Sequence, residues 1–144
     1  MAFKINISEK IGKTYHLETE AEELVGKELH NKVNGKEVSP DLDGYEFEIT
    51  GASDTAGFTL MEDVEGIGLK KVLLDYGKGM HMRPKGEKKK NKKPKGLRLR
   101  KTVRGKIISS DVSQINLKVL KEGSKKLNDI FPDQNKPKEE VKKV

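Results

Sequence analysis

Between Tyr45 and Thr50 the chain reads Tyr-Glu-Phe-Glu-Ile-Thr, a strict alternation of apolar and polar residues. An extended segment with this period puts Tyr45, Phe47 and Ile49 on one face and Glu46, Glu48 and Thr50 on the other. That is a half-buried strand, and it sets the pattern for the chain. Phe3-Lys4-Ile5-Asn6-Ile7-Ser8 alternates in the same way. Tyr15-His16-Leu17-Glu18 follows after a turn at Gly12 and is expected to be its hairpin partner. No stretch carries a long helical repeat.

The remaining elements follow from turn chemistry. Thr19 precedes Glu22 at capping-box spacing, with Gly26 as the stop, so one or two helical turns fit between them. Lys27 to Val33 reads as a short strand. Asn34-Gly35 is the strongest two-residue hairpin signal in the chain. Ser39-Pro40 reads as an N-cap followed by proline at the first helical position, for a single turn ending at Gly44. Residues 51–57, Gly-Ala-Ser-Asp-Thr-Ala-Gly, are expected to form a long small-residue turn before a short apolar piece, Phe58 to Met61. Lys70 to Asp75 reads as a more deeply buried strand. Leu97 to Val103, Lys106 to Ser109 and Ile115 to Leu120 supply three more strand signals. Leu127, Ile130 and Phe131 can dock one turn against the domain, and disorder is expected from Pro132.

Six to eight short strands with glycine-rich turns imply an all-β domain. The expected architecture is a small closed β-barrel with one or two short helical turns and a long basic loop, because closure removes exposed strand edges. Residues 1–123 would form the barrel, including the basic loop at 84–96. Residues 124–144 would be a partly disordered C-terminal extension. With 144 residues, 33% of them apolar and 37% charged, one domain with a small core is expected. No repeat appears at solenoid or propeller periods.

Charge is the second constraint. Residues 83–106 contain Arg83, Lys85, Lys88, Lys89, Lys90, Lys92, Lys93, Lys95, Arg98, Arg100, Lys101, Arg104 and Lys106, against one acid, Glu87. The segment carries +12 where the whole chain carries +7, so the remainder is net acidic at −5. A run this dense repels itself in water and gains energy only against a polyanion. Its first half is lysine with Gly and Pro, suited to phosphate contact without base reading. From Leu97 it becomes Leu-Arg-Leu-Arg, a strand with an arginine face. Guanidinium is a planar fork, suited to fixed geometry on phosphates and bases. Few aromatics are present for base stacking of the single-strand kind. Those thirteen cations are the candidate nucleic-acid-binding residues, charge alone leaving RNA and DNA both open, and the bland alternative is a solvated loop or a targeting signal.

Catalysis and metal binding find no support in the sequence. Ser53-Asp54 lies between glycines with no histidine or second carboxylate at motif spacing, so an Asx-type turn is the expected role. His16, His30 and His81 match no metal spacing. The chain has no cysteine for a disulfide or thiolate zinc site. Neither phosphate-loop nor dinucleotide fingerprints occur. The expectation is a non-enzyme with no cofactor, no metal and no small-molecule substrate. No apolar run approaches the ~20 residues of a membrane span. The first ten residues, Met-Ala-Phe-Lys-Ile-Asn-Ile-Ser-Glu-Lys, lack a signal-peptide core, so a cytoplasmic protein with no membrane partner is expected.

Two segments resemble a known family. Gly44 to Phe58, with Ile49-Thr50-Gly51-Ala52-Ser53-Asp54-Thr55-Ala56-Gly57-Phe58 at its end, is similar to the signature of the eukaryotic and archaeal small-subunit ribosomal protein family eS-six. Gly96-Leu97-Arg98-Leu99-Arg100-Lys101-Thr102-Val103-Arg104-Gly105 resembles the same family's Arg-x-Arg-Lys-Ser/Thr-Val-Arg-Gly segment, and Arg83-Pro84 also fits. The resemblance covers about residues 1–123. Ala52 stands where the signature has a second glycine, and Thr59-Leu60 where it has Pro-Met. The short form resembles archaeal members and lacks the long basic helix and serine-rich tail of eukaryotic ones.

The resemblance implies a β-barrel core and a structural role in the small ribosomal subunit, with small-subunit ribosomal RNA and neighbouring ribosomal proteins as partners. In that reading Arg98, Arg100 and Arg104 are positioned by the core while the Lys85–Lys95 loop neutralises phosphates. Glu46, Glu48, Asp63 and Glu65 would face solvent or protein neighbours. Two alternatives use the same basic loop. One is a free-standing RNA or DNA chaperone. The other is an adaptor for an acidic protein or an anionic membrane.

Overall fold

The structure, a computed structural model, describes residues 2–81 and 94–134. Among them are seven strands: Phe3–Ser8 (β1), Thr14–Thr19 (β2), Lys32–Asn34 (β3), Glu46–Asp54 (β4), Leu69–Leu74 (β5), Leu99–Arg104 (β6) and Val112–Lys121 (β7). Two four-residue helices, Gly35–Val38 (α1) and Leu127–Ile130 (α2), and two 3-10 turns, Glu22–Leu24 and Pro40–Leu42, complete the set. Five strands form one sheet in the order β2-β1-β7-β4-β3, and β5 and β6 form a separate pair.

The two clearest alternations become the strands expected of them. β1 and β2 are an antiparallel hairpin, Phe3 opposite Thr19 through Ser8 opposite Thr14, turned at Gly12 with φ +92°. In β4, Phe47 and Ile49 are closed off from solvent, with Tyr45 buried just ahead of the strand. β7 lies between them, parallel to β1 and antiparallel to β4, so the first and last strands of the sheet meet side by side. Ile5, Ile7, Phe47, Ile49, Ile115 and Leu117 point inward from these three strands. They meet Tyr15, Leu24, Leu42, Leu60, Ile108 and Leu127, all fully buried. Burying an aliphatic or aromatic side chain of this size stabilises the fold by about 1.5–3 kcal/mol.

The sheets do not close into a barrel, which corrects the expected architecture. The fold is mostly β with two short helices, and the large sheet has two edges. At one edge, the side-chain amide of Gln134 occupies the backbone of β2: the His16 N–H donates to its Oε1 and its Nε2 donates to the His16 carbonyl, each at 2.6 Å. At the other edge, β3 ends after three residues because the chain winds directly into α1. Beyond the strands, single bridges join Ser53 to Thr59, Leu60 to Arg104 and Glu28 to Ile107. Several short strands therefore determine an all-β composition without determining which edges pair.

Other local expectations change for specific reasons. Asn34-Gly35 is not a hairpin turn; Gly35 starts α1, and a Cβ there would lie 1.8 Å from the Leu42 carbonyl oxygen. The glycine serves close backbone approach rather than a left-handed turn. Thr19 caps nothing at Glu22 and instead donates from Oγ1 to the Val38 carbonyl at 3.3 Å. Ser39-Pro40 does lead into a single 3-10 turn, Pro40–Leu42. Residues 51–54 belong to β4 rather than to a turn, with the strand kinked where Thr50 is skipped in the register. Such a bulge bends the strand, and here the Thr50 hydroxyl donates to the Asn116 carbonyl at 3.2 Å. Residues 106–109 make only the Ile107 bridge. β5 is largely exposed rather than deeply buried, because it belongs to a two-stranded sheet with one covered face.

The segment after β7 packs onto the same core. Leu127 is fully buried, Phe131 stacks on Tyr15 with ring centroids 5.8 Å apart, and the Tyr45 hydroxyl donates to the Lys125 carbonyl. Of the tail expected to be disordered from Pro132, residues 135–144 lie outside the described residues. Gly35→Ala should cost about 1–3 kcal/mol of stability through overpacking. Gly68→Ala, where a Cβ meets nothing within 4 Å, should stay within about 0.5 kcal/mol. Urea unfolding of the two variants against the parent measures this.

Candidate nucleic-acid interface

The polycation connects the two strands of the β5–β6 hairpin. Leu74 pairs with Leu99 at the far end and Leu69 with Arg104 at the root, so residues 75–98 form the connection across the tip. Paired residues in an antiparallel ladder share a face. Val72, Leu74 and Val103 turn toward Met61 and Val64, which make a second small core. The opposite face carries Leu69, Lys71, Leu73, Arg100, Thr102 and Arg104. Leu69 and Leu73 are 52% and 54% exposed, so among the described residues this face is largely uncovered except at Arg104, whose side chain is 14% exposed.

Of the thirteen candidate cations, Arg83, Lys85, Lys88, Lys89, Lys90, Lys92 and Lys93 lie outside the described residues. Lys95, Arg98, Arg100 and Lys101 are exposed on the tip half of the hairpin. Among the described residues none of these four has an acidic partner. Leu97 and Leu99 are half-buried between Arg98 and Arg100, the alternation expected of the arginine strand.

Arg104 and Lys106 stand differently. The Arg104 Nε donates to Asp54 Oδ2 at 2.9 Å and its Nη1 donates to the Ile67 carbonyl at 3.0 Å, with Asp111 3.8 Å away. The Asp54 side chain is 1% exposed and that of Arg104 14%. The Asp54 Oδ1 accepts the Phe58 N–H at 2.8 Å, four residues on, and the Ala56 N–H, two residues on as in the expected Asx-type turn, also serves the carboxylate. Burial raises the Asp54 pKa, but the Arg104 guanidinium and the N–H groups of Phe58 and Ala56 outweigh it and hold the carboxyl below the usual range. The backbones are tied as well: the Arg104 N–H donates to the Thr59 carbonyl and the Met61 N–H to the Arg104 carbonyl. Lys106 lies 3.2 Å from Glu65 and 3.6 Å from Glu28, and these carboxylates raise its pKa. Arg104 therefore ties the hairpin root to β4 of the large sheet, and Lys106 pairs with the loop residues Glu28 and Glu65.

The pattern of the ribosomal protein S6e family matches residues 3–132. The chain belongs to this family. Small ribosomal subunit protein eS6 of Methanococcus maripaludis strain C7 is 43% identical over 125 residues, covering 86% of this chain and 91% of that one. The protein of that name from Thermoplasma acidophilum is 41% identical over 128 residues, 87% and 93% of the two chains. The one from Archaeoglobus fulgidus is 40% identical over 135 residues, 91% and 96%. In this S6e chain Ala52 is ordinary extended backbone within β4, and His30 alone of the described non-glycine residues has positive φ. An alanine at position 52 is therefore unstrained.

Sequence reasoning missed Lys71. It lies opposite Thr102 and shares a face with Arg100, but its segment reads as buried apolar strand. The acids expected to look outward partly serve the chain itself: Glu65 holds Lys106, and Glu48 with Glu62 brackets His30, at 3.2 and 2.5 Å. Glu48 and Glu62 raise the His30 pKa.

Removing one partner of a buried ion pair strands the other charge, so Asp54→Ala should cost about 3–5 kcal/mol. Because the folded-state pKa of Asp54 lies below that of the unfolded chain, its contribution is complete at neutral pH. It is lost as pH falls through the folded value, below the usual carboxylate range. Acid unfolding monitored by circular dichroism should therefore begin at higher pH in a chain destabilised at Asp54 than in the parent.

Proposed function

We propose that this chain is a structural constituent of the small ribosomal subunit that anchors on small-subunit ribosomal RNA through the β5–β6 hairpin and the basic connection at its tip. Family membership supports the ribosomal role. The observation that carries the RNA contact is the division of charge along the hairpin. Arg104 and Lys106 at the root are neutralised within the chain, whereas Lys95, Arg98, Arg100 and Lys101 toward the tip are exposed and unmatched among the described residues. β6 carries Arg100 and Lys101, Arg98 lies just ahead of it, and the sequence between the two strands adds Arg83, Lys85, Lys88, Lys89, Lys90, Lys92 and Lys93. Contacts with neighbouring ribosomal proteins fall on the remaining surface. The role is positional rather than catalytic, as membership of a ribosomal protein family supports.

Sucrose-gradient sedimentation of a cell lysate at low and at moderate salt, following this chain, tests the reading. Cofractionation with the small subunit that survives the salt wash is expected. A chain that stays at the top of the gradient at low salt would overturn it. Replacing Arg98 and Arg100 by alanine should lower the salt at which the chain is released. In binding to isolated rRNA it should reduce the slope of log affinity against log salt by about 0.7–0.9 for each phosphate the variant no longer engages.

A further inference from the structure

The exposed face of the hairpin adjoins a hollow of about 460 Å³ between β6 and the loop that leaves β4. Gly57, Phe58 and Thr59 form one wall; Lys71, Arg100 and Thr102 stand on the other. The first wall is held by the pair described above, since Asp54 binds the Phe58 N–H and the Thr59 carbonyl accepts from Arg104. The Asp54–Arg104 pair thus sets the spacing between the walls as well as joining the sheets.

The lining has the chemistry of a nucleotide site. It contains cations and threonine hydroxyls, an aromatic residue in Phe58, and no carboxylate. Its volume falls in the about 300–1,000 Å³ range of small-ligand pockets. The backbone adds donors. Both the N–H and the C=O of Arg104 are used away from β5, on Thr59 and Met61. Strand alternation then turns the N–H groups of Thr102 and Arg100 toward the same open edge of β6. Gly57 in the facing loop has φ +91°, a conformation that favours glycine.

We infer that this hollow seats one single-stranded nucleotide of RNA, its phosphate against Lys71, Arg100 and the β6 edge and its base against Phe58. This rests on the RNA-binding reading above and deepens it. It adds Lys71 and Phe58, and it makes the contact a fixed subsite where the tip lysines supply only diffuse charge. The favoured occupant is RNA rather than a protein strand because the lining sets cations beside an aromatic ring, and phosphate contact plus base stacking uses both.

The test uses the full chain and an in vitro transcript of small-subunit rRNA substituted with 4-thiouridine. Photocrosslinks are expected in the peptides holding Phe58 or Lys71. Lys71→Ala should weaken binding about ten-fold at low salt and lower the salt slope by about 0.7, the value for one phosphate of a single strand. Phe58→Leu should weaken binding with the slope unchanged, its fold confirmed by an unaltered unfolding midpoint. Lys36→Ala makes the same charge change outside the hollow and should have little effect. Equal losses for Lys36→Ala and Lys71→Ala would overturn the subsite in favour of bulk charge. So would crosslinks from Lys71 to a neighbouring protein in assembled subunits. Binding that is indifferent to Lys71 overturns the subsite alone; a parent chain that does not bind the transcript overturns the RNA reading with it.

Discussion

The buried pair between Asp54 and Arg104 is the interaction on which the functional half of the molecule depends. Asp54 ends β4 of the large sheet and Arg104 ends β6 of the hairpin, fifty positions later in the chain. The carboxylate is almost wholly out of water, a placement that would be costly for an unmatched charge. Here it accepts the guanidinium Nε and backbone N–H groups at once, so its lone pairs are matched where solvent is excluded. It adds a side-chain tie to the backbone bonds between Arg104, Thr59 and Met61. With it, the strand that bears the arginines has a fixed direction relative to the core.

The large sheet makes that anchorage possible through its order. β7 lies between β1 and β4, so the ends of the chain close around one set of inward side chains while residues 55–111 are excluded from the sheet as an excursion. The hairpin and its polycation belong to this excursion. Their like charges can be held away from the core, where desolvation would be prohibitive. Glycine permits the joint to be tight: a Cβ at Gly105 would fall 1.9 Å from the Gly66 carbonyl oxygen, just where the excursion rejoins the body.

What could be read from the sequence was whatever is local. The β1–β2 hairpin and the Tyr45–Ile49 alternation were legible because a period of two over five or six residues has one favourable arrangement in water. The arginine strand was legible for the same reason, and the charge run needed only counting. Asn34-Gly35 misled because the same dipeptide serves a left-handed turn or a close approach, and only Leu42, seven residues on, decides between them. Barrel closure misled because strands can be counted from a sequence but edge pairing cannot; a glutamine side chain caps the β2 edge instead. Arg104 sat among the candidate RNA contacts because composition does not separate a cation facing a carboxylate from one facing solvent. Lys71 was invisible until cross-strand register set it on the same face as Arg100.

The resulting distribution of charge has a direction. At the root of the hairpin Arg104 and Lys106 are each opposed by two carboxylates, Asp54 with Asp111 and Glu65 with Glu28. Further along β6 toward the tip, Arg100 and Lys101 have no such partners among the described residues, and beyond them the sequence turns almost wholly basic. Neutralising the root removes repulsion where the fold must be compact. Leaving the tip unmatched preserves a positive field there. A uniform lysine patch of the same net charge would attract a polyanion equally well from a distance but would not orient it. Graded along the hairpin, the same charge has a direction as well as a sum.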